Sequence, residues 1–205
     1  MRALLALLLT LLTASAATAG DLTVSVRDAQ GRAVRDAVVT VHPATGIPKR
    51  PIRFAWPMRV VQQDLQFSPH VLVVAKGATV SFPNFDSVRH QVYSFSRGNR
   101  FEIDLFGRGA SRSYRFMTVG VAAIGCNIHD QMLAYIKVVD TPWAAKTEAG
   151  GDVTLAAVPA GGATLRVWHP RLTGRGNETS RAITVGAAGG RMTVTGDFSN
   201  RVAVR

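Results

Sequence analysis

The stretch GCNIHDQM, from Gly125 to Met132, contains the only cysteine of the chain, a histidine three positions later and a methionine three positions after that. The apolar stretch GVAAI precedes it and MLAYIKVV overlaps its end, so the pattern predicts two strands joined by the tight loop NIHDQ. Such a loop would bring Cys126, His129 and Met132 to one end of a β-sandwich. We expect these three side chains to form part of the functional site.

The compartment of the protein determines how a single cysteine is interpreted. The chain opens MRALLALLLTLLTASAATAG, with one basic residue, an apolar run from Ala3 to Leu12 and an A-x-A cleavage site at 17–19. This predicts a secretory signal peptide over 1–19, too short in its apolar run to span a bilayer. We expect a periplasmic or secreted protein with no stable membrane insertion. A lone cysteine there is a free buried thiol, an intermolecular link or a metal ligand.

Charge and motifs narrow the classes of function. Lys and Arg outnumber Asp and Glu by 24 to 13, which indicates acidic partners or anionic surfaces. The basic residues are scattered, and no helix-turn-helix, zinc-finger or RNA-recognition signature accompanies them, so no nucleic-acid partner is expected. The sequence contains no Ser/His/Asp arrangement with supporting turns and no phosphate-binding glycine loop before a helix. We do not expect an enzyme.

Most apolar segments after the leader are short, β-branched and alternating, and turn signals separate them. This pattern is typical of an all-β sandwich or barrel. The predicted strands include LTVSV (22–26), AVVTV (37–41), VLVVA (71–75), ATVSF (78–82), YIKVV (135–139), DVTLA (152–156), ATLRV (163–167), AITV (182–185) and MTVTG (192–196).

Composition also divides the chain. Most aromatic residues, the cysteine and three of the five histidines lie between Pro51 and Asp140, whereas the flanks are rich in Gly, Ala and Thr. The stretches 43–51 and 140–151 are interpreted as linkers. A hairpin at 20–48 would be marginal alone. We therefore expect 20–48 and 146–205 to form one sandwich, with a second domain at 51–140 inserted between them.

A second histidine completes a recognisable set of donors. His90 ends the strand-turn pattern in SFPNFDSVRHQ, upstream of Cys126. A thiolate, two imidazoles and a weak thioether are the ligands of a blue-copper centre, whereas zinc more often takes four strong donors. Each candidate also has an alternative interpretation: Cys126 as a lone core cysteine, His129 as an ordinary surface histidine, His90 as a core or turn residue, and Met132 as core packing only.

The remaining candidates have ordinary interpretations. Three further histidines share no spacing with another ligand type and are not expected to bind metal, namely His42, His70 and His169. Asp86 and Asp130 lie near the candidate ligands and are interpreted as solvated loop residues.

The region from about Val60 to Asp140 resembles a cupredoxin. It has F-x-P and G-x-x-V-x-F-x-N runs before the first histidine, as in plastocyanins, and C-x2-H-x2-M, as in amicyanin. The motifs GCNIHDQM, HQVYSFS and RVWHP together resemble those of bacterial exported proteins of the plastocyanin-like or methylamine-utilisation group. The resemblance implies one type 1 copper ion with four ligands: His90, Cys126, His129 and Met132.

One position departs from the cupredoxin pattern. Many cupredoxins have Asn after the first histidine, where this chain has Gln91. Asn84 and Asn127 are the candidates for bracing the ligand loop in its place.

The two flanks resemble a prealbumin-like or carboxypeptidase-regulatory-like β-sandwich. The first carries a D-x-x-G turn and an A-x-V-x-V-like strand, and the second carries T-x-x-G and P-x-G patterns. The expected fold is therefore all-β: a cupredoxin Greek-key sandwich inserted in, or joined to, a second small prealbumin/Ig-like sandwich.

These resemblances imply an exported blue-copper protein that carries single electrons. The expected partners are acidic periplasmic redox proteins, such as cytochromes or a dehydrogenase. Two alternatives stay open: a periplasmic copper carrier or buffer, and a metal-free adhesion or interaction module in which the thiol is structural.

Overall fold

The computed structural model describes residues 18–199, and these form β-strands with one short 3-10 helix, Arg175–Asn177. The all-β prediction is confirmed. Apart from Thr18 and Ala19, the predicted signal peptide lies outside the described residues. The strands are β1 (Ala19–Asp28), β2 (Val38–Pro43), β3 (Val61–Gln63), β4 (Gln66–Ser68), β5 (Val71–Ala75), β6 (Thr79–Pro83), β7 (His90–Ser94), β8 (Phe101–Phe106), β9 (Ser111–Arg115), β10 (Gly120–Gly125), β11 (Leu133–Val139), β12 (Ala144–Lys146), β13 (Asp152–Pro159), β14 (Gly161–Trp168), β15 (Glu178–Val185) and β16 (Gly190–Gly196).

The first two strands and the last five form one unit, here called the flanking sandwich. Its sheets have the strand orders β13-β1-β16 and β12-β2-β14-β15. The pairing of β1 with β13 is antiparallel and that with β16 is parallel. Alternate apolar residues of both sheets meet in one buried core, including Val24, Val39, Leu155 and Leu165. The N-terminal strands therefore pair with strands that follow the middle of the chain.

Strands β3 to β11 form the second unit, here called the central sandwich. A five-stranded sheet in the order β5-β11-β10-β7-β8 faces the smaller pairs β6-β9 and β3-β4. Large apolar side chains fill the space between them, with Phe82, Phe116, Ile124 and Ile136 fully buried. Close packing of this kind holds the strand ends in fixed positions, which the site depends on.

Strand β11 is buried on both faces, because the two sandwiches pack against each other across it. Ala134, Ile136 and Val138 point into the core of the central sandwich. Tyr135 and Val139 instead join a separate cluster with flanking-sandwich residues such as Trp168. The near-continuous apolar sequence of this strand is what a strand covered on both sides requires.

The predicted linker at 140–151 is wrong in part. It contains β12, which pairs with β2, and buried Thr141, whose hydroxyl donates to the Val41 carbonyl at 2.7 Å. The indole of Trp143 donates to the Ala157 carbonyl at 3.0 Å. The proline and small residues of this stretch suggest a loop, but tertiary contacts hold it against the flanking sandwich.

Within residues 18–199, no helix is long and apolar enough to cross a bilayer.

Candidate metal centre

Two neighbouring antiparallel strands bring the predicted donors to one end of the central sandwich. His90 is the first residue of β7, and Cys126 directly follows the last residue of β10. The two antiparallel strands pair where Gly125 faces Tyr93, so His90, three residues before Tyr93, lies just beyond the end of β10. The loop that begins at Cys126 then turns back toward the same end and carries His129.

One donor atom from each of His90, Cys126 and His129 lies close to the other two, and these three residues are here called the donor cluster. The Nδ1 atoms of the two histidines are 3.2 Å apart. The Cys126 Sγ lies 3.8 Å from the His90 Nδ1 and 3.7 Å from the His129 Nδ1. His90 is completely buried and Cys126 is 3% exposed, whereas His129 is half-buried.

These distances match the span of donors around one metal ion. Bonds of about 2.0 Å to nitrogen and about 2.3 Å to sulfur, in a trigonal plane, place donors about 3.5 Å (N to N) and about 3.7 Å (N to S) apart. The convergent nitrogen and sulfur donors therefore fit a soft or borderline cation such as copper. The sequence-predicted residues His90, Cys126 and His129 are brought together by the fold.

Met132 lies at the end of the same loop. Its backbone N–H donates to the His129 carbonyl at 2.9 Å, which closes the turn. The side chain is 1% exposed and belongs to the same buried cluster as Cys126. A burial of this kind suits both a weak axial ligand and a core residue, and the role of Met132 as a fourth ligand stays a prediction.

The interpretation of Asp86 as a solvated loop residue is wrong. Its side chain is 11% exposed, and Oδ2 lies 2.7 Å from the Nε2 atom of His90. Burial alone would raise the pKa of Asp86, but hydrogen bonds from His90 and from the backbone N–H groups of Leu65 and Asp64 together hold the pKa below its usual value. The carboxylate four positions before the histidine is the only sequence signal for this contact. Asp130, in contrast, is exposed.

Asn84 braces the loop before His90. Its Nδ2 donates to the carbonyl oxygens of Val88, at 2.9 Å, and Phe106, at 3.0 Å. Its Oδ1 accepts from the N–H of Asp86 at 2.9 Å. These contacts fix the loop from both ends, as expected of a residue that supports a ligand. Asn127, the other candidate, is exposed.

Gln91 points away from the donors and serves a different contact. Its Nε2 donates to Glu102 on β8 at 2.6 Å. This side chain therefore takes no part in bracing the loop before His90, where Asn84 makes the hydrogen bonds.

The other three histidines make contacts away from the donor cluster. His42 pairs with Asp140 at 2.9 Å, His70 lies 3.2 Å from the Leu133 carbonyl through Nδ1, and His169 accepts from the Arg171 N–H at 3.1 Å.

The chain matches no protein-family model and no curated protein. It is similar to a copper-containing nitrite reductase from Thermus scotoductus SA-01, at 24% identity over 44% of this chain and only 25% of that one, with a TM-score of 0.40. A purple cupredoxin from Nitrosopumilus maritimus matches at 22% identity, over 40% of this chain and 98% of that one, with a TM-score of 0.36. A reduced amicyanin mutant matches at 16% identity, over 51% and 99% of the two chains, with a TM-score of 0.39. All three TM-scores lie below 0.5.

Proposed function

We propose that this chain is an exported type 1 copper protein, with a cupredoxin-type central sandwich, that carries single electrons between periplasmic redox partners. The observation that supports the proposal is the convergence of the His90 Nδ1, His129 Nδ1 and Cys126 Sγ atoms at the end of the central sandwich. Two imidazoles and one thiolate are the ligand set that distinguishes blue copper from structural zinc.

Each residue has a distinct role in this proposal. Copper, when bound, would supply a one-electron couple between Cu(II) and Cu(I). The Cys126 thiolate would be the strongest donor to the ion, the imidazoles of His90 and His129 would be the other two main donors, and the Met132 thioether would be a weak one. The half-buried His129 reaches closer to solvent than His90 or Cys126. A docked partner would therefore contact the protein next to His129.

The redox partner is proposed to present an acidic face. The chain has a formal net charge of +11. Arg89, next to His90 in sequence, is exposed and donates to the Leu105 carbonyl at 3.0 Å, which fixes its charge near this end of the sandwich. Complementary charge speeds the encounter of two redox proteins more than it tightens their complex. Periplasmic cytochromes and dehydrogenases with acidic surfaces are partners of this kind.

The visible spectrum of the Cu(II)-loaded full-length chain tests the function. A Cys126 thiolate bound to Cu(II) should give an intense visible band that bleaches on reduction and returns on oxidation. Cys126→Ser replaces the thiol with a slightly smaller hydroxyl and should abolish the band, with the far-ultraviolet circular dichroism unchanged.

The result also separates the alternatives. A colourless wild type after Cu(II) loading contradicts the electron-carrier proposal. Tight copper binding together with irreversible voltammetry and fast transfer of copper to a chelator would favour a copper carrier. No metal binding at all would favour a structural module.

A further inference from the structure

The short hairpin formed by β3 and β4 supplies a pair of backbone donors to Asp86. The turn residues Asp64 and Leu65 have φ angles of 55° and 56°, both in the left-handed region. Two successive positive φ angles are typical of a type I′ turn, which usually takes Asn or Asp and then Gly. Leu65 is therefore in a conformation that costs a residue with a side chain about 1–2 kcal/mol.

Both N–H groups of this turn point at the same carboxylate. The Asp64 N–H donates to the Asp86 Oδ1 at 2.7 Å, and the Leu65 N–H donates to its Oδ2 at 3.1 Å. Two backbone donors on one carboxylate stabilise its ionised form. Because Asn84 also holds the backbone of Asp86, the carboxylate is fixed at both its side chain and its main chain.

The other contact of this carboxylate determines the tautomer of His90. The Asp86 Oδ2 lies 2.7 Å from the His90 Nε2. An ionised carboxylate only accepts hydrogen bonds, so Nε2 must carry the hydrogen. The lone pair of neutral His90 is then on Nδ1, the atom that faces Cys126 and His129.

We propose that Asp86 is a positioning residue that holds His90 in the metal-binding tautomer and strengthens Nδ1 as a donor, so that the site favours Cu(II) and other divalent ions over Cu(I). The part of this inference that concerns copper rests on the proposed function. A hydrogen bond from a ligand histidine to a carboxylate fixes the ring and raises its basicity. The gain is larger for a doubly charged ion than for a singly charged one.

A matched pair of full-length variants tests the proposal. Asp86→Asn keeps the shape of the side chain and removes its charge. Asp130→Asn removes the same charge from an exposed residue next to His129. The affinities for Cu(II), Cu(I) and Zn(II) are measured by competition with chromophoric chelators, and the potential of bound copper is measured by voltammetry.

We expect Asp86→Asn to weaken Cu(II) and Zn(II) binding by about 10- to 100-fold. Cu(I) binding should weaken less, so the potential of bound copper should rise. Asp130→Asn should change each affinity by less than about fivefold, because an exposed charge is screened by solvent.

The tautomer is measured independently in the metal-free wild type. Two-bond ¹H–¹⁵N spectra should show the ring of His90 protonated at Nε2, which needs no variant to fold. A ring protonated at Nδ1 alone overturns the proposal.

The remaining outcomes are equally decisive. If Asp86→Asn only lowers the unfolding midpoint of the metal-free protein, and its metal affinities match those of Asp130→Asn, then Asp86 is a structural residue and the proposal is wrong. If Zn(II) binding depends on Asp86 but Cu(II) gives no intense visible band, the positioning role stands and the electron-carrier function fails.

Discussion

At the scale of single residues, His169 shows how burial controls protonation away from the donor cluster. It is largely buried and packs edge-to-face on Phe198. Burial, with a smaller contribution from the positive charge of Arg171, lowers the pKa of His169 to about 4. The folded state therefore holds this imidazole neutral down to a lower pH than the unfolded chain does.

This shift predicts a loss of stability in mild acid. Between pH 6.5 and about 4, the unfolded chain binds a proton at His169 that the folded chain does not, so the free energy of unfolding must fall as the pH falls through this window. The expected loss is on the order of 2–3 kcal/mol. It is measured by urea unfolding of the metal-free protein at several pH values.

His169→Asn is the control for this prediction. Asn can place an acceptor near the position of Nδ1, which accepts from the Arg171 N–H, and it does not titrate in this range. The variant should lose less stability than the wild type between pH 6.5 and 4. Equal slopes in the two proteins would contradict the assignment.

The sequence predicts the candidate ligands better than it predicts the residues that hold those ligands in place. Cys126 and His129 share a short loop, and His90 follows a strand, so local spacing carried the signal. The contacts of Asp86 are not visible in the sequence, because they depend on the turn at 64–65, which approaches Asp86 only in the folded sandwich. Local sequence cannot report a contact that tertiary structure creates.

At the scale of elements, the β3–β4 hairpin contains a strained residue whose replacement should stabilise the protein. Leu65→Gly removes the side chain from a residue with φ 56°. Relief of about 1–2 kcal/mol is partly offset by the flexibility of glycine in the unfolded chain. We expect a net gain of about 0.5–1 kcal/mol in the free energy of unfolding.

Gln66→Gly is the matched control, because Gln66 begins β4 and is exposed. Glycine there should destabilise the protein by about 0.5–1 kcal/mol. Chemical unfolding curves of the metal-free variants measure both changes. A destabilised Leu65→Gly would show that the contacts of the leucine side chain outweigh its backbone strain.

The elements differed in how well the sequence predicted them. Strands such as β5 and β14 were predicted closely, because their β-branched residues alternate or run together and turn signals bound them. The β3–β4 hairpin was not predicted, since its Asp64-Leu65 turn lacks the usual glycine. Strand β12 was hidden by Pro142, two positions before it, and by its small residues.

At the scale of the whole molecule, an ion pair joins the two sandwiches. Lys137 on β11 lies 2.7 Å from Glu178 on β15, with side-chain exposures of 11% and 26%. The ammonium also lies 5.5 Å from the centre of the Trp168 ring. Both contacts hold the Lys137 ammonium in the apolar interface, where the Glu178 carboxylate compensates its charge.

Breaking this pair on one side should be costly. Glu178→Gln leaves the Lys137 charge uncompensated and should lower the free energy of unfolding by roughly 2 kcal/mol, less than for a fully buried pair because Glu178 is partly solvated. Lys137→Met combined with Glu178→Gln should return to within about 1 kcal/mol of the wild type. Thermal unfolding of the wild type, the two single variants and the double variant completes a double-mutant cycle. A neutral Glu178→Gln would show that solvent already screens the lysine.

The position of β1 at the centre of its sheet has a consequence for the newly made chain. Thr23 on β1 and Thr154 on β13 bond across 131 positions, and β16, on the other side of β1, comes later still. The strands of the central sandwich all lie between these and can pair first. Until the last strands follow, β1 and β2 present valine-rich faces with open edges, which favour intermolecular pairing. In a refolding chain these long-range pairings also form late, so the yield should be limited by aggregation before the flanking sandwich closes, and it should improve with dilution.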